Sequence, residues 1–225
     1  MIENLYNLND EDIKKIHIEM AKNFKNDPLF EVVFPNKKKR LAIMTRFLRY
    51  YIKAIQPFAH FYSDSKKLNS VMIVFDDRKN NKIYYAWRLL CFNLKLVLLL
   101  KDIQNLDEAI HALKCYGMFT SSWVKDFENQ PYLHLDLIYT KKAKQKKGFS
   151  AELMKTLIQY AYDHQLDISV ETNNRDNVTY YEHYGFTLMK TISHDDYDVV
   201  QYCMMKKWEE LNHVEKENSE ILVEL

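Results

Sequence analysis

The sequence is sparing with residues that break, staple or anchor a chain. Of 225 residues, three are glycine (Gly117, Gly148 and Gly185) and four are proline. Glycine used so seldom is expected where the backbone needs its freedom. Cysteine is as scarce. Cys91, Cys115 and Cys203 are scattered, odd in number and without C-x-x-C spacing, which argues against a disulfide framework or a structural zinc site and for reducing surroundings. Neither sign of charge dominates: Lys+Arg total 32 and Asp+Glu 31, a net charge of +1. A protein that binds polyanions in bulk is usually far more basic, so any basic function here is local. Long apolar runs are missing too. The most apolar stretch, "LLCFNLKLVLLL" (residues 89–100), contains Asn93 and Lys95 and is too short to span a bilayer. It reads as a buried helix, and no membrane partner is expected. The opening "MIENLYNLNDEDIKK" is acidic and polar, unlike a signal peptide. A cytoplasmic location follows as an expectation.

What is present is globular: 47% hydrophobic and 28% charged residues, enough to bury a real core. Residues 9–26 read as a helix, with Asn9, Asp10 and Asp12 at its start and Ile13, Ile16, Met20 and Phe24 at helical spacing. Pro28 is expected to end that pattern. "PNKKKRLAIMTRFLRYYIKAIQPF" gives a second helix, with Leu41, Met44, Leu48, Tyr51, Ile52 and Ile55 on one face and a basic opposite face. "AHFYSDS" and "NSVMIVFDD" read as strands, and residues 84–127 as two or three helices broken near "NLDE". "YLHLDLIYT" (residues 132–140) alternates, which predicts Leu133, Leu135 and Leu137 on one face and His134, Asp136 and Ile138 on the other. A helix over 150–164, a strand "LDISVET", a short helix "NVTYYEHY" closed by Gly185 and a final strand pair complete the order. This is a mixed α/β fold: a central sheet flanked by helices, with a helical insert in mid-chain.

The link "QKKGFS", Gln145 to Ser150, joins a strand to a helix. Amides at a helix N-terminus lack partners inside the helix and carry the positive end of its dipole, which suits an anion. Gly148 would let a ligand approach, Ser150 would cap the helix, and the nearby lysines would raise the local potential. Read alone, a strand, a basic loop and a helix with one glycine are usually just a connection. A nucleic-acid patch is the weakest reading, because no aromatic residues interleave with the lysines.

A second constellation follows one strand later, in "ETNNRDNVTYYEHYGF" (residues 171–186). With the strand and link before it, this order resembles the GNAT superfamily of acetyl-CoA-dependent N-acetyltransferases. "HLDLIYTKKAKQKKGFS" is similar to the superfamily's strand and pyrophosphate loop, and "NVTYYEHYGF" to its N-x-x-x-Y-E-x-x-G-F helix. The flavour of that helix, together with "NDPLF…FP" near the N-terminus, most resembles the branch that includes puromycin N-acetyltransferase. Ser150 replaces the loop's usual last Gly or Ala, Lys142 a common proline and Thr140 a common valine.

The resemblance implies a single acetyltransferase domain over residues 1–225. Residues 1–130 would form the acceptor side, 131–208 the acetyl-CoA-binding core and 209–225 a tail. Acetyl-CoA would be the acyl donor, with no metal. Backbone groups near Ile138, Tyr139 and Thr140 would meet the pantetheine arm. Gln145, Lys146, Lys147, Gly148, Phe149 and Ser150 would hold the pyrophosphate, and Asn177 would meet the pantetheine or order its helix. Tyr181 would protonate the departing thiolate, a role suited to a phenol that stays protonated at neutral pH. Tyr180, about 100° around the helix, is expected to point elsewhere. His134 and Asp136, two apart on one strand, are candidates for taking the amine's proton or gripping it, and Glu171 for binding the amine. The expected reaction is direct attack of a small-molecule primary amine in a ternary complex. A non-catalytic acyl-CoA module and acetylation of protein or peptide amines are the alternatives. No nucleic acid is expected as a partner, and a homodimer is possible. Tyr84, Tyr85, Trp87, Tyr116 and Trp123 hint at an apolar or aromatic amine.

Overall fold

The computed structural model describes residues 2–79, 106–116, 121–127, 129–194 and 196–209, together with Trp87, Leu90 and Cys91. The expectations placed on 92–105, on the side chains of Tyr84, Tyr85 and Tyr116, on Gly117 and on the tail lie outside the described residues.

The chain begins with a short strand β1 (Tyr6–Asn7) and helix α1 (Asp10–Phe24). Asn9 caps α1 by accepting from the amides of Glu11 and Asp12, and Asp12 returns a bond to the Asn9 amide, so two otherwise orphaned donors are satisfied reciprocally. Pro28 does not merely end this pattern. It opens a second helix, α2 (Pro28–Val33), with Asp27 as its cap, because proline's fixed φ and missing N–H suit the first helical position. Helix α3 (Lys37–Ile55) follows. Its buried face includes Met44, Leu48, Ile52 and Ile55 as expected, whereas Leu41 is exposed. Arg40 takes the core-facing place near Leu41, its guanidinium bound to Glu31 and the carbonyls of Phe34, Lys25 and Pro35.

Strands β2 (Ala59–Ser63) and β3 (Ser70–Asp76), helix α4 (Leu106–Tyr116) and a 3-10 turn at Ser122–Asp126 precede the site-bearing half. That half is β4 (Tyr132–Thr140), α5 (Phe149–Asp163), β5 (Asp167–Thr172), α6 (Arg175–His183), β6 (Thr187–His194) and β7 (Tyr197–Lys206). Together the strands form a seven-stranded sheet in the order β1-β2-β3-β4-β5-β7-β6. Every neighbouring pair is antiparallel except β4 and β5. Helices α1 to α3 cover one face. Helices α5 and α6 cover the other, with Leu153, Leu157 and Ala161 buried as the 150–164 pattern predicts.

Two irregularities in β4 make the site. The parallel ladder to β5 runs only from Tyr132–Leu135 against Asp167–Val170. Beyond it, β4 pairs with β3 alone and β5 with β7, so the two strands part at Asp136 and Glu171. At the same point β4 carries a bulge: Ile73 pairs with Leu137 and Val74 with Leu135, leaving Asp136 as the extra residue. A bulge re-aims every side chain beyond it. Leu133 and Leu135 therefore pack under α5, while Leu137 and Tyr139 pack against the α1–α3 layer and Ile138 returns to the α5 side. The expected sharing of one face by Leu133, Leu135 and Leu137 fails for this reason.

Candidate active site

A cleft of about 1100 Å³ opens where β4 and β5 separate. Of the residues expected at a site, His134, Asp136, Ile138, Tyr139, Thr140, Gln145, Lys146, Gly148, Phe149, Ser150, Glu171, Asn177 and Tyr181 all line it. Lys147 is the exception among the described lining; Lys144 takes part instead. Lys141 is tied to the carbonyl of Lys67.

One end of the cleft is the loop between β4 and α5. Lys146 (φ 59°) and Gly148 (φ 84°) both adopt the left-handed conformation. Left-handed residues next to right-handed ones can turn successive N–H groups toward one concave side, the geometry of an anion-binding nest. Gly148, not Ser150, holds the cap position of α5, and it makes no side-chain cap bond. Ser150 sits inside the first turn. It lines the cleft beside Tyr180. Gln145 bridges from this loop to the Thr140 carbonyl at 3.3 Å and to Asn23 of α1 at 3.5 Å.

The other end is built on the separated strands. His134 Nδ1 lies 3.0 Å from Ser169 Oγ, and Nε2 lies 3.3 Å from Glu171 Oε2. In a neutral ring, a proton on Nε2 faces Glu171 while Nδ1 accepts from the Ser169 hydroxyl. The other oxygen of Glu171 accepts from the indole N–H of Trp123. Asp136 does not orient His134 by a hydrogen bond. Its Oδ1 accepts from Tyr51 Oη at 2.6 Å, reaching across from α3. Burial pushes the Asp136 carboxyl above its usual range, opposed by the His134 charge and the Tyr51 bond and reinforced by Glu171. Trp123, expected only as an aromatic of the acceptor side, is buried and holds Glu171 instead; Ser169 carried no site expectation. Ser169 was detectable in principle, since it pairs with His134 in the parallel register; the contacts of Tyr51 and Trp123 depend on long-range packing.

Helix α6 spans both ends. Asn174 caps it, and Asn177 donates to Thr172 Oγ1 at 3.0 Å, fixing the first turn to the end of β5. Tyr180 and Tyr181 both line the cleft, contrary to the expectation that only one would. They are divided along its length. Tyr181 is 5% exposed, and its hydroxyl is raised well above the ordinary phenol value by burial and then by the nearby Tyr180 and Glu171. Tyr180 has Ser150 and Tyr184 as polar neighbours, and burial pushes it up to about 12. Its hydroxyl is buried without a hydrogen bond. Cys203, opposite Glu171 on β7, is fully buried with its thiol pushed up to about 12, chiefly by burial. A thiol so far from its thiolate is a poor nucleophile.

Residues 122–207 match the sequence model of the acetyltransferase (GNAT) domain. The match covers β4, the loop, α5, β5, α6 and the closing strands. A comparison with curated proteins returned no match. Solved structures extend the likeness in fold to nearly the whole chain. A histone acetyltransferase HPA2 and related acetyltransferase from Corynebacterium glutamicum is 16% identical, with a TM-score of 0.58 over 92% of this chain and 97% of its own. Arylalkylamine N-acetyltransferase 2 from Aedes aegypti is 12% identical, with a TM-score of 0.52 over 91% and 98%. Mosquito arylalkylamine N-acetyltransferase like 5b is 10% identical, with a TM-score of 0.52 over 90% and 98%. The likeness in fold, a seven-stranded sheet flanked by helices, thus extends beyond the matched segment. No described helix is long and apolar enough to cross a membrane.

Proposed function

We propose that this chain is an N-acetyltransferase that moves the acetyl group of acetyl-CoA to a primary amine of a small molecule by direct attack in a ternary complex. The observation that carries the reading is one cleft lined by the left-handed Lys146 and Gly148 of the β4–α5 loop, by His134, Asp136 and Glu171 where the strands part, and by buried Tyr181. The loop amides, with Ser150, bind the pyrophosphate. The free edge of β4 from Asp136 to Thr140 receives the pantetheine arm as an added strand would. Glu171 and His134 take the proton of the incoming ammonium; Asp136, held by Tyr51, lies beside them. Tyr181 donates a proton or hydrogen bond to the sulfur as charge builds there, and its raised pKa keeps that proton in place until it is needed. Buried Cys203 supports direct attack rather than an acetyl-enzyme. The N-V-x-x-Y-E helix favours placement near the puromycin N-acetyltransferase branch, and the cytoplasm is the proposed location.

The test is thiol release from acetyl-CoA across a panel of amines, with Tyr181→Phe as the diagnostic variant. Loss of the acid is expected to lower kcat by about 10²-fold or more while acetyl-CoA affinity stays within about twofold. Unchanged turnover would remove Tyr181 from the chemistry. Binding of acetyl-CoA without acetylation of any amine would favour a non-catalytic acyl-CoA module.

A further inference from the structure

Glu171 and His134 line the cleft, but the groups that aim them do not. Trp123 and Ser169 are 2% and 0% exposed, and neither is among the described residues of the lining. The four form one chain of contacts. Trp123 Nε1 donates to Glu171 Oε1, Glu171 Oε2 lies 3.3 Å from His134 Nε2, and His134 Nδ1 lies 3.0 Å from Ser169 Oγ. Both outer members sit on fixed ground. Ser169 lies on β5, opposite His134 in the parallel register and opposite Met205 of β7. Trp123 belongs to the 3-10 turn at Ser122–Asp126, where it packs with Val124, Cys203 and Met205. That turn is pinned to the closing strands. Lys190 of β6 reaches Asp126 at 3.0 Å, and Lys207, just past β7, donates to the Phe127 carbonyl.

From this arrangement we propose that Trp123 and Ser169 are positioning residues for acetyl transfer, each acting through the neighbour it holds. The proposal rests on the acetyl-transfer reading and deepens it. With the Ser169 hydroxyl donating to Nδ1, the neutral ring carries its proton on Nε2, toward Glu171. The reverse tautomer would set the Nε2 lone pair against a carboxylate. Ser121 Oγ, exposed at the cleft, also lies near Nε2, at 3.5 Å. Glu171 thus receives one N–H on each oxygen, from the indole and from the imidazole. Donors on both oxygens fix the plane of the carboxylate, and an ionised carboxylate has lone-pair positions to spare for an ammonium. The carboxylate takes one proton from that ammonium, and the nitrogen lone pair so freed attacks the thioester carbon. A base held ready in this way needs no rearrangement at the moment of reaction.

Two measurements on the full-length protein test this, one of them independent of any acceptor. In NMR of nitrogen-labelled protein without ligands, His134 is expected as the Nε2–H tautomer, changing to a mixture or to Nδ1–H in Ser169→Ala. The Trp123 indole N–H, identified by its loss in Trp123→Phe, should move upfield in Glu171→Gln. The second measurement is kcat with saturating acetyl-CoA and the fastest amine of the panel. It should fall about 10-fold in Trp123→Phe and about 100-fold in Glu171→Gln. The double variant should match Glu171→Gln within about twofold, because Trp123 acts only through the carboxylate, whereas a merely structural loss would multiply. If Trp123→Phe fails to fold, Ser169→Ala combined with His134→Gln supplies the same comparison. An Nδ1–H ring in the parent, an indole signal indifferent to Glu171→Gln, or losses that multiply would overturn the proposal while leaving acetyl transfer standing. Acetyl-CoA binding with no amine acetylated, while both signals behave as expected, would take down the acetyl-transfer reading and the catalytic use of these residues with it.

Discussion

Replacing Tyr180 by phenylalanine removes one oxygen that lies near the Ser150 and Tyr184 hydroxyls without a well-formed hydrogen bond to either. The hydroxyl is buried without a hydrogen bond, on a ring set edge-on to Tyr181 at 5.4 Å and to Tyr184 at 5.1 Å. A polar group withdrawn from water and left unsatisfied costs about 1–3 kcal/mol. Part of that gain is lost to the small gap the oxygen leaves, so about 1 kcal/mol of net stabilisation is expected for the unliganded variant. In a chain of this size that raises Tm by about 2–4 °C. Bound acetyl-CoA would give the hydroxyl a use. Its ring lines the loop end of the cleft near Ser150, and with its pKa pushed up to about 12 it is a donor at any working pH. If acetyl-CoA supplies the acceptor, the variant forfeits one hydrogen bond in the complex, about 0.5–1.5 kcal/mol, or roughly 2–10-fold in Kd. Thermal melts without and with acetyl-CoA, together with calorimetric titration, read both effects. Y180F should melt later than the parent alone, yet gain less from acetyl-CoA. A variant that melts earlier in the absence of ligand refutes the premise that the hydroxyl is unsatisfied. Parent-like affinity refutes its role in the complex.

Asp27 and Gly185 give two further tests. Asp27 caps α2 by accepting from the Leu29 amide at 3.0 Å, yet burial raises its carboxyl from 3.8 to about 6, opposed by the Leu29 and Phe30 amides and reinforced by Glu31. The folded state therefore holds this proton more tightly than the unfolded chain, and its contribution to stability is lost as pH rises from about 4 to about 6. Asp27→Asn keeps a good cap without the charge, so urea midpoints should favour the variant by up to about 2–3 kcal/mol at pH 7.5 and converge with the parent near pH 4; a pH-independent difference would contradict the buried charge. Gly185 closes α6 at φ 77°, and a Cβ there would meet the Lys206 ammonium. Gly185→Ala should lower stability by about 1–2 kcal/mol, read as a fall in Tm; an unchanged Tm would mean α6 can end without a left-handed residue.

Much of this architecture was legible because its signals are local. The cap at Asn9, the alternation of β4 and the Gly185 stop each depend on a few neighbouring residues, and each element appears where its pattern lies. Helix α2 is not legible from Pro28 alone, which reads as a stop; Asp27 before it and Leu29, Phe30 and Val33 after it make a capped, buried turn. The same local logic misplaced the cap of α5. Ser150 is a good cap by type, but Gly148 accommodates the left-handed turn that ends the loop, and the helix starts one residue after it. The partners of the site side chains were beyond reach for another reason. Tyr51 meets Asp136 across 85 positions and Trp123 meets Glu171 across 48, and no periodicity encodes such meetings.

The bulge at Asp136 shows why the site could be located without its geometry being read. Strict alternation already placed His134 and Asp136 on one face, and both do line the cleft. What alternation could not supply was the extra residue opposite the Ile73–Val74 step. That single insertion accounts for three facts that otherwise look unrelated. It turns Leu137 and Tyr139 into the α1–α3 layer, so α3 can bring Tyr51 to the Asp136 carboxylate. It coincides with the end of the β4–β5 ladder, so the backbone from Asp136 onward is left without a β5 partner. It leaves His134, two residues before the bulged Asp136, in register with Ser169 and beside Glu171, with no hydrogen bond to Asp136. The two acidic groups thus occupy different settings, Glu171 joined to an imidazole and Asp136 to a phenol. A pair of carboxylates held apart in this way can receive one ammonium from two sides, and it is the departure from ideal strand geometry that makes room for it.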